Sequence, residues 1–290
     1  FAKRLVGLGF DLIASGGTAR ALRDAGFAVR DVAELVGGTA ILGHRVVTLS
    51  REVHAGLLAE YGNADHIAEM VSHNLPWIDL VCVDLYPLAE AIAKSGATRE
   101  SVIEKTDVGG PAMLRSALKG RRIVVCDPAD RARVIKWLEA GRPGEDDFVN
   151  ALCAKAEGVV ADYCLASARF HSDGKIDGMV GGLALPCCYG ENPSWTAEFF
   201  AVDNHPLSPK NFKQVGGKYP SFINGTDLMN AAWTLVQIVA GWRRNFSQTP
   251  MVAVAVKHGN ACGVGVCNNT PKEAIARMIE SDKEAIHGAC

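Results

Sequence analysis

The chain has 290 residues, 48% of them hydrophobic and 21% charged, with a net charge of −2. That length holds one large or two ordinary domains with a sizeable core, and so even a charge balance gives no footing for a nucleic-acid partner. No apolar run reaches the roughly 20 residues a membrane span needs, and nine cysteines without paired spacing argue against a disulfide framework and for a reducing, cytoplasmic setting.

In chain order, residues 2–5 read as a helix already under way, with no signal peptide before them, so the chain is expected to start inside a domain. Residues 10–14 predict a short strand, Ser15-Gly16-Gly17-Thr18 a turn, and residues 19–25 a helix closed by Gly26. Strand, glycine-rich turn and helix aim backbone N–H groups and a helix dipole at an anion, with Ser15 and Thr18 as added hydroxyl donors. A plain tight turn is the competing reading. Residues 27–32 predict a second strand, and 42–49 carry His44 and Arg45 among apolar residues. Arg45 is either a phosphate partner or a surface ion pair. Residues 78–85 are nearly continuous in apolar residues, as a central parallel strand is, and they deliver Tyr86 to its carboxyl end. A helix at 101–105 breaks at Thr106-Asp107-Val108-Gly109-Gly110-Pro111, and Pro111 opens the helix at 112–119. Asp107 then lies near a helix N-terminus, as a cap or as a reactive carboxylate. A strand at 123–126 comes next, and then a helix capped by Asp127-Pro128.

Alternating strands and helices with short turns predict an α/β fold with a largely parallel sheet. From Glu145 to about Phe170 one long helix is expected, then a loop over 171–182. Cys187 and Cys188 are adjacent, the wrong spacing for a metal knuckle. Cys188 to Pro193 form a compact polar turn, residues 228–239 a helix, and 251–256 an apolar β-branched strand. Lys257 and His258 stand at its exit, before the small-residue turn 259–263. A lysine and a histidine at the carboxyl end of a strand could handle a proton and a developing negative charge; two polar residues solvating a strand end is the plainer reading. A last helix begins at Thr270-Pro271 and is expected to run into residues 281–290.

Seven stretches carry a resemblance: ASGGTA at 14–19, GHRVVTL at 43–49, VHAGLLA at 53–59, DLYP at 84–87, DVGGPAMLRSALK at 107–119, YGENP at 189–193 and VKHGNACG at 256–263. In this order they resemble the bifunctional AICAR transformylase / IMP cyclohydrolase family of purine biosynthesis. The resemblance implies a methylglyoxal-synthase-like parallel-sheet domain over residues 1–140, a helical connector and loop over 141–185, and part of a cytidine-deaminase-like α/β transformylase domain over 186–290. It implies formyl transfer from 10-formyltetrahydrofolate, as co-substrate, to AICAR, and cyclisation of formyl-AICAR to IMP. No zinc or other metal is implied, and no membrane. It also implies a homodimer.

Residue by residue, His258 matches the family's general base for formyl transfer, and Lys257 the group that steadies the oxyanion or protonates the leaving nitrogen. Tyr86, Asp107 and Lys119 match residues around ring closure. Ser15, Gly16, Gly17, Thr18, Arg45 and Thr48 match nucleotide-binding positions, and Tyr189, Gly190, Asn192 and Asn260 match substrate-binding ones. The chain departs from the pattern at several of these places. Val47 stands where the family has a lysine, Asp84 where it has asparagine before Leu-Tyr-Pro, Cys188 where it has arginine, Ser194 where it has histidine, and Ala261 where it has proline. The family's S-V-S-D-K-T-G loop would precede Phe1, and the second half of its transformylase region would lie beyond Cys290. Valine can donate no hydrogen bond, so impaired catalysis is expected. The alternative is a divergent non-catalytic paralogue that binds a purine nucleotide or a protein partner.

Overall fold

The apolar runs of the first half become short parallel strands. In the computed structural model, which describes residues 1–43, 45–202 and 205–289, β1 (Leu12–Ala14) pairs with β2 (Val29–Asp31), and β3 (Leu80–Cys82) with β4 (Ile123–Val125), both in parallel. Around them lie α1 (Ala2–Gly7), α2 (Gly16–Asp24), α3 (Val32–Leu35), α4 (Arg51–Leu58), α5 (Ala64–Ser72), α6 (Leu88–Ala93), α7 (Arg99–Ile103), α8 (Gly109–Lys119), α9 (Arg131–Glu139) and α10 (Glu145–His171). Every residue of β4 is buried. Successive strand residues face opposite ways: Val124 packs with Leu57, Val81 and Leu114, while Ile123 and Val125 pack with Val134, Trp137 and Leu152. A strand covered on both faces has no polar position, which is why this run reads as apolar throughout.

The chain divides into two compact units, Phe1–Met179 and Val180–Cys290. Helix α10, read from the sequence as a connector, is a core element of the first unit. Its buried residues Val149, Leu152, Ala156 and Val160 recur at helical spacing, and they fill both clusters around β4.

The second unit is built differently from the first. Its strands pair antiparallel: β5 (Gly182–Pro186) with β6 (Glu198–Ala201), and β7 (Met251–Lys257) with β8 (Asn260–Cys267). Strands β5, β6 and β8 were not expected, and residues 259–263, read as a turn, lie mostly in β8. Helix α11 (Phe222–Phe246) starts six residues before the expected 228. Ser221 sets that start, because its hydroxyl accepts from the Asn224 N–H and the Asn224 side chain bonds back to the Ser221 N–H. Helix α12 (Pro271–Ser281), capped by Thr270, stops at Ser281 instead of running on. His44 and Cys290 lie outside the described residues. Among the described residues no helix is long and apolar enough to cross a membrane.

Candidate functional site

In the first unit the strand-to-helix turn at β1 opens onto a cleft of about 2700 Å³. Ser15 takes an extended conformation and α2 begins at Gly16, whose φ of +53° suits glycine. No side chain caps this helix, so the N–H groups of its first turn point out unsatisfied. Ser15, Gly16, Gly17 and Thr18 all line the cleft. Across it lie Arg45, Thr48, Tyr86 and Asp107. Tyr86 is largely exposed at 58%. Thr48 sits against the start of α8, its hydroxyl 2.7 Å from where a Cβ on Gly109 would be. The Asp107 Oδ1 accepts the Gly110 N–H at 2.8 Å, so from one residue ahead of the Val108 N-cap it bonds into the first turn of α8. The structure thus gathers these eight residues on one cleft.

Lys119 is not among them. It occupies the last position of α8, an 11-residue helix about 16 Å long, at the end away from Asp107. Arg45 is paired through one guanidinium nitrogen with Glu104, which also borders the cleft; the remaining donors of the fork are left for an anion, against the repulsion of that carboxylate. Val47 lines the cleft and packs against the apolar cluster of Leu57 and Val81. Asp84, the extra charge beside the site, is held by Arg131 at 2.5 Å, which offsets its repulsion of an anion.

In the second unit, Lys257 is the last residue of β7, as expected, and His258 follows it into the loop of a β-hairpin. Lys257 pairs in register with Asn260, leaving His258 and Gly259 as a two-residue loop with φ of +52° and +79°. Both central residues at positive φ is the turn that matches the twist of a hairpin. The Lys257 ammonium donates to the His287 carbonyl at 3.0 Å, His258 is exposed, and the Asn260 amide donates to the His258 carbonyl at 3.1 Å. Tyr189, Gly190 and Asn192 form a separate tight turn. The Gly190 N–H reaches the Trp195 carbonyl at 2.6 Å and Trp195 N–H reaches the Asn192 carbonyl at 3.0 Å. Both turns are tied to the start of α11, the first through Phe222 N–H to Tyr189 carbonyl at 3.0 Å, the second through Gly259 N–H to Asp227 at 2.7 Å. The two anchor points are about 7.5 Å apart along the helix axis.

Two residues in these sites escaped the sequence reading. Asp227 is buried at 5% exposed and holds the hairpin loop that carries His258; the sequence reading began the helix one residue after it, and no local pattern marks its partner 32 positions away. Tyr163 of α10 accepts the Asp107 N–H at 2.6 Å and donates to the Lys105 carbonyl at 3.3 Å. Burial pushes its phenol above the ordinary value, partly opposed by the bond from the Asp107 backbone, so it stays protonated and able to donate. No local sequence pattern marks a contact made across 56 positions.

Comparison with known proteins adds to this geometry. Residues 120–290 match the family model described as AICARFT/IMPCHase bienzyme, and residues 1–112 match that of the MGS-like domain. The bifunctional purine biosynthesis protein PurH of Staphylococcus carnosus (strain TM300) is 36% identical over 290 residues, covering 99% of this chain and 55% of that protein. PurH of Parvibaculum lavamentivorans (strain DS-1) is 37% identical over 299 aligned positions, covering 99% of this chain and 53% of its own length. The chain therefore spans about half the length of these curated relatives. A solved structure titled "Crystal structure of ForH" is 37% identical, with a TM-score of 0.49, over 59% of this chain and 90% of its own.

Proposed function

Because the chain belongs to the AICARFT/IMPCHase bienzyme family, we propose that it acts in cytoplasmic purine biosynthesis, binding AICAR-type nucleotides and closing formyl-AICAR to IMP in its first unit. The observation that carries this reading is the convergence of Ser15–Thr18, Arg45, Thr48, Tyr86 and Asp107 on one cleft. The 5′-phosphate would sit at the open N-terminus of α2, where backbone N–H groups and the helix dipole favour an anion. Arg45, through the donors not engaged by Glu104, would add a charge-assisted bond. Ring closure joins the carboxamide nitrogen to the formyl carbon and expels the formyl oxygen as water. Tyr86 would donate to that oxygen as negative charge builds on it, and Asp107 would take the proton from the attacking nitrogen. Lys119, at the far end of α8, has no part in this arrangement unless the chain is rearranged on binding.

The second unit would hold AICAR and 10-formyltetrahydrofolate. His258 would accept the proton of the weakly nucleophilic amine, and Lys257 would meet the oxyanion of the tetrahedral intermediate. Tyr189, Gly190, Asn192 and Asn260 would bind substrate around them, and a second copy of the chain is the expected partner. The bond from Lys257 to the His287 carbonyl takes one of its three ammonium donors and leaves two for that oxyanion.

A second reading, nucleotide binding without turnover, is favoured by Val47, an apolar side chain on the cleft wall where the family carries a lysine. Calorimetric titration with IMP tests the shared premise. Arg45→Ala should weaken binding roughly tenfold or more, the worth of a hydrogen bond to a charged group. Identical isotherms for the two proteins would remove Arg45 as the phosphate partner. Binding without any cyclisation of formyl-AICAR would select the second reading.

A further inference from the structure

We propose that Tyr163 is a positioning residue for the first-unit site, its phenol holding the segment between α7 and α8 so that Asp107 is presented to a bound nucleotide. This rests on the reading above, in which Asp107 acts in ring closure. Residues 104–108 have no helix or strand of their own to fix them. The backbone on the α7 side is tied back by Lys105 N–H to Val102 and Thr106 N–H to Ile103, each at 3.0 Å. The next free groups, the Lys105 carbonyl and the Asp107 N–H, both go to the one phenol oxygen. A hydroxyl donates once and accepts as well, so Tyr163 pins the chain at two points on either side of Thr106.

The pin sets the aim of the carboxylate. Asp107 Oδ1 is occupied by the Gly110 N–H. Oδ2 makes no hydrogen bond among the described residues, and it lies 2.6 Å from where a Cβ on Gly110 would be. One oxygen therefore fixes the carboxylate to α8 and the other is left for a ligand in the cleft that Asp107 lines. Tyr163 itself stands one turn beyond Val160, which is locked in the apolar core. The phenol thus ties α10 to a segment otherwise held only by turn bonds to α7 and by the Asp107 bond into α8. Without it, the Asp107 N–H and Lys105 carbonyl would turn to water, and a displacement of about 1 Å at a reacting group can cost on the order of a hundredfold in rate.

Tyr163→Phe in the whole chain keeps the ring and removes both bonds. The expected result is a fall in kcat for formyl-AICAR cyclisation of roughly tenfold to a hundredfold, with KM changed less than about twofold. In an Asp107→Asn background the same substitution should cost nothing further, since the two residues act as one unit. Amide exchange at Asp107 and Gly110, measured in the free protein, should speed up about tenfold when the hydrogen bonds are lost. A wild-type chain that cyclises formyl-AICAR while Tyr163→Phe does so equally well overturns the inference. So does a double variant whose losses simply add, which would mark Tyr163 as a general structural residue. A wild-type chain with no turnover removes the proposed function instead, and the exchange rates still decide the inference: unchanged exchange at Asp107 and Gly110 overturns it, accelerated exchange upholds it.

Discussion

Val47 concentrates the question of activity in one side chain. It is half-buried, touching the apolar cluster of Leu57 and Val81 on one side and the cleft on the other. A lysine there could lay its methylenes along the same apolar wall and carry its ammonium into the cleft. Val47→Lys is therefore expected to lose about 1 kcal/mol of packing while raising formyl-AICAR turnover roughly tenfold or more, the scale of one added donor to a developing charge. Steady-state cyclisation rates for Val47→Lys and for Val47→Met, which adds length without charge, make the comparison. Equal rates in the two variants would show that the missing cation is not what limits the site. At this scale the sequence was readable where the chemistry is local. The Ser15–Thr18 turn and the Asp107 bond into α8 are both set by neighbours a few residues away. It was not readable where a partner comes from afar. Arg45 meets Glu104 and Asp107 meets Tyr163 only because the fold brings distant segments together.

Elements show the same division. Strand β4 and helix α10 are legible because their apolar patterns match their burial, continuous for one and helically spaced for the other. Strand β8 was missed because NACGVGVC is glycine-rich, and glycine is a poor strand residue. Its glycines answer a different demand. A Cβ on Gly265 would lie 1.9 Å from the Ala274 carbonyl oxygen and 2.5 Å from the Met278 nitrogen, and one on Gly263 would lie 3.1 Å from the Met278 carbonyl oxygen. Helix α12 lies so close on β8 that no side chain fits between them, and tertiary contact overrides propensity. Gly265→Ala must push a helix backbone away, since the nearest atoms belong to no flexible side chain. We expect it to destabilise the second unit by roughly 1–3 kcal/mol, the usual cost of overpacking. Gly216→Ala, where nothing lies within 4 Å, should stay within about 0.5 kcal/mol of wild type. Thermal melts of the two variants that coincide would refute the close approach of α12 to β8.

Across the molecule, the two units differ in what they bury. The first holds two clusters of large side chains, with Leu57, Leu114, Val134 and Leu152 at 1% exposure or less. Among the described residues of the second, the buried hydrophobics are Ala232, Ala255, Val256, Cys267 and Ala274, nearly all small. Its large apolar side chains are outside: Phe200 is 64% exposed, and Trp233 and Phe246 of α11 are 61% and 59% exposed. Each large side chain fully buried contributes about 1.5–3 kcal/mol, so a unit that buries so few has the smaller reserve against unfolding. We therefore expect two transitions in urea, the second unit opening first. Hydrogen exchange read by peptide would assign them, with β7, β8 and α12 losing protection before β4 and α10. If the proposed second copy of the chain covers α11, the first transition is linked to association and moves to higher urea as protein concentration rises. Trp233→Glu would abolish that shift and leave the second transition where it was. One transition for both units, at every concentration, would contradict the smaller reserve of the second unit; two transitions with the first independent of concentration would keep that reserve and remove the second copy from α11.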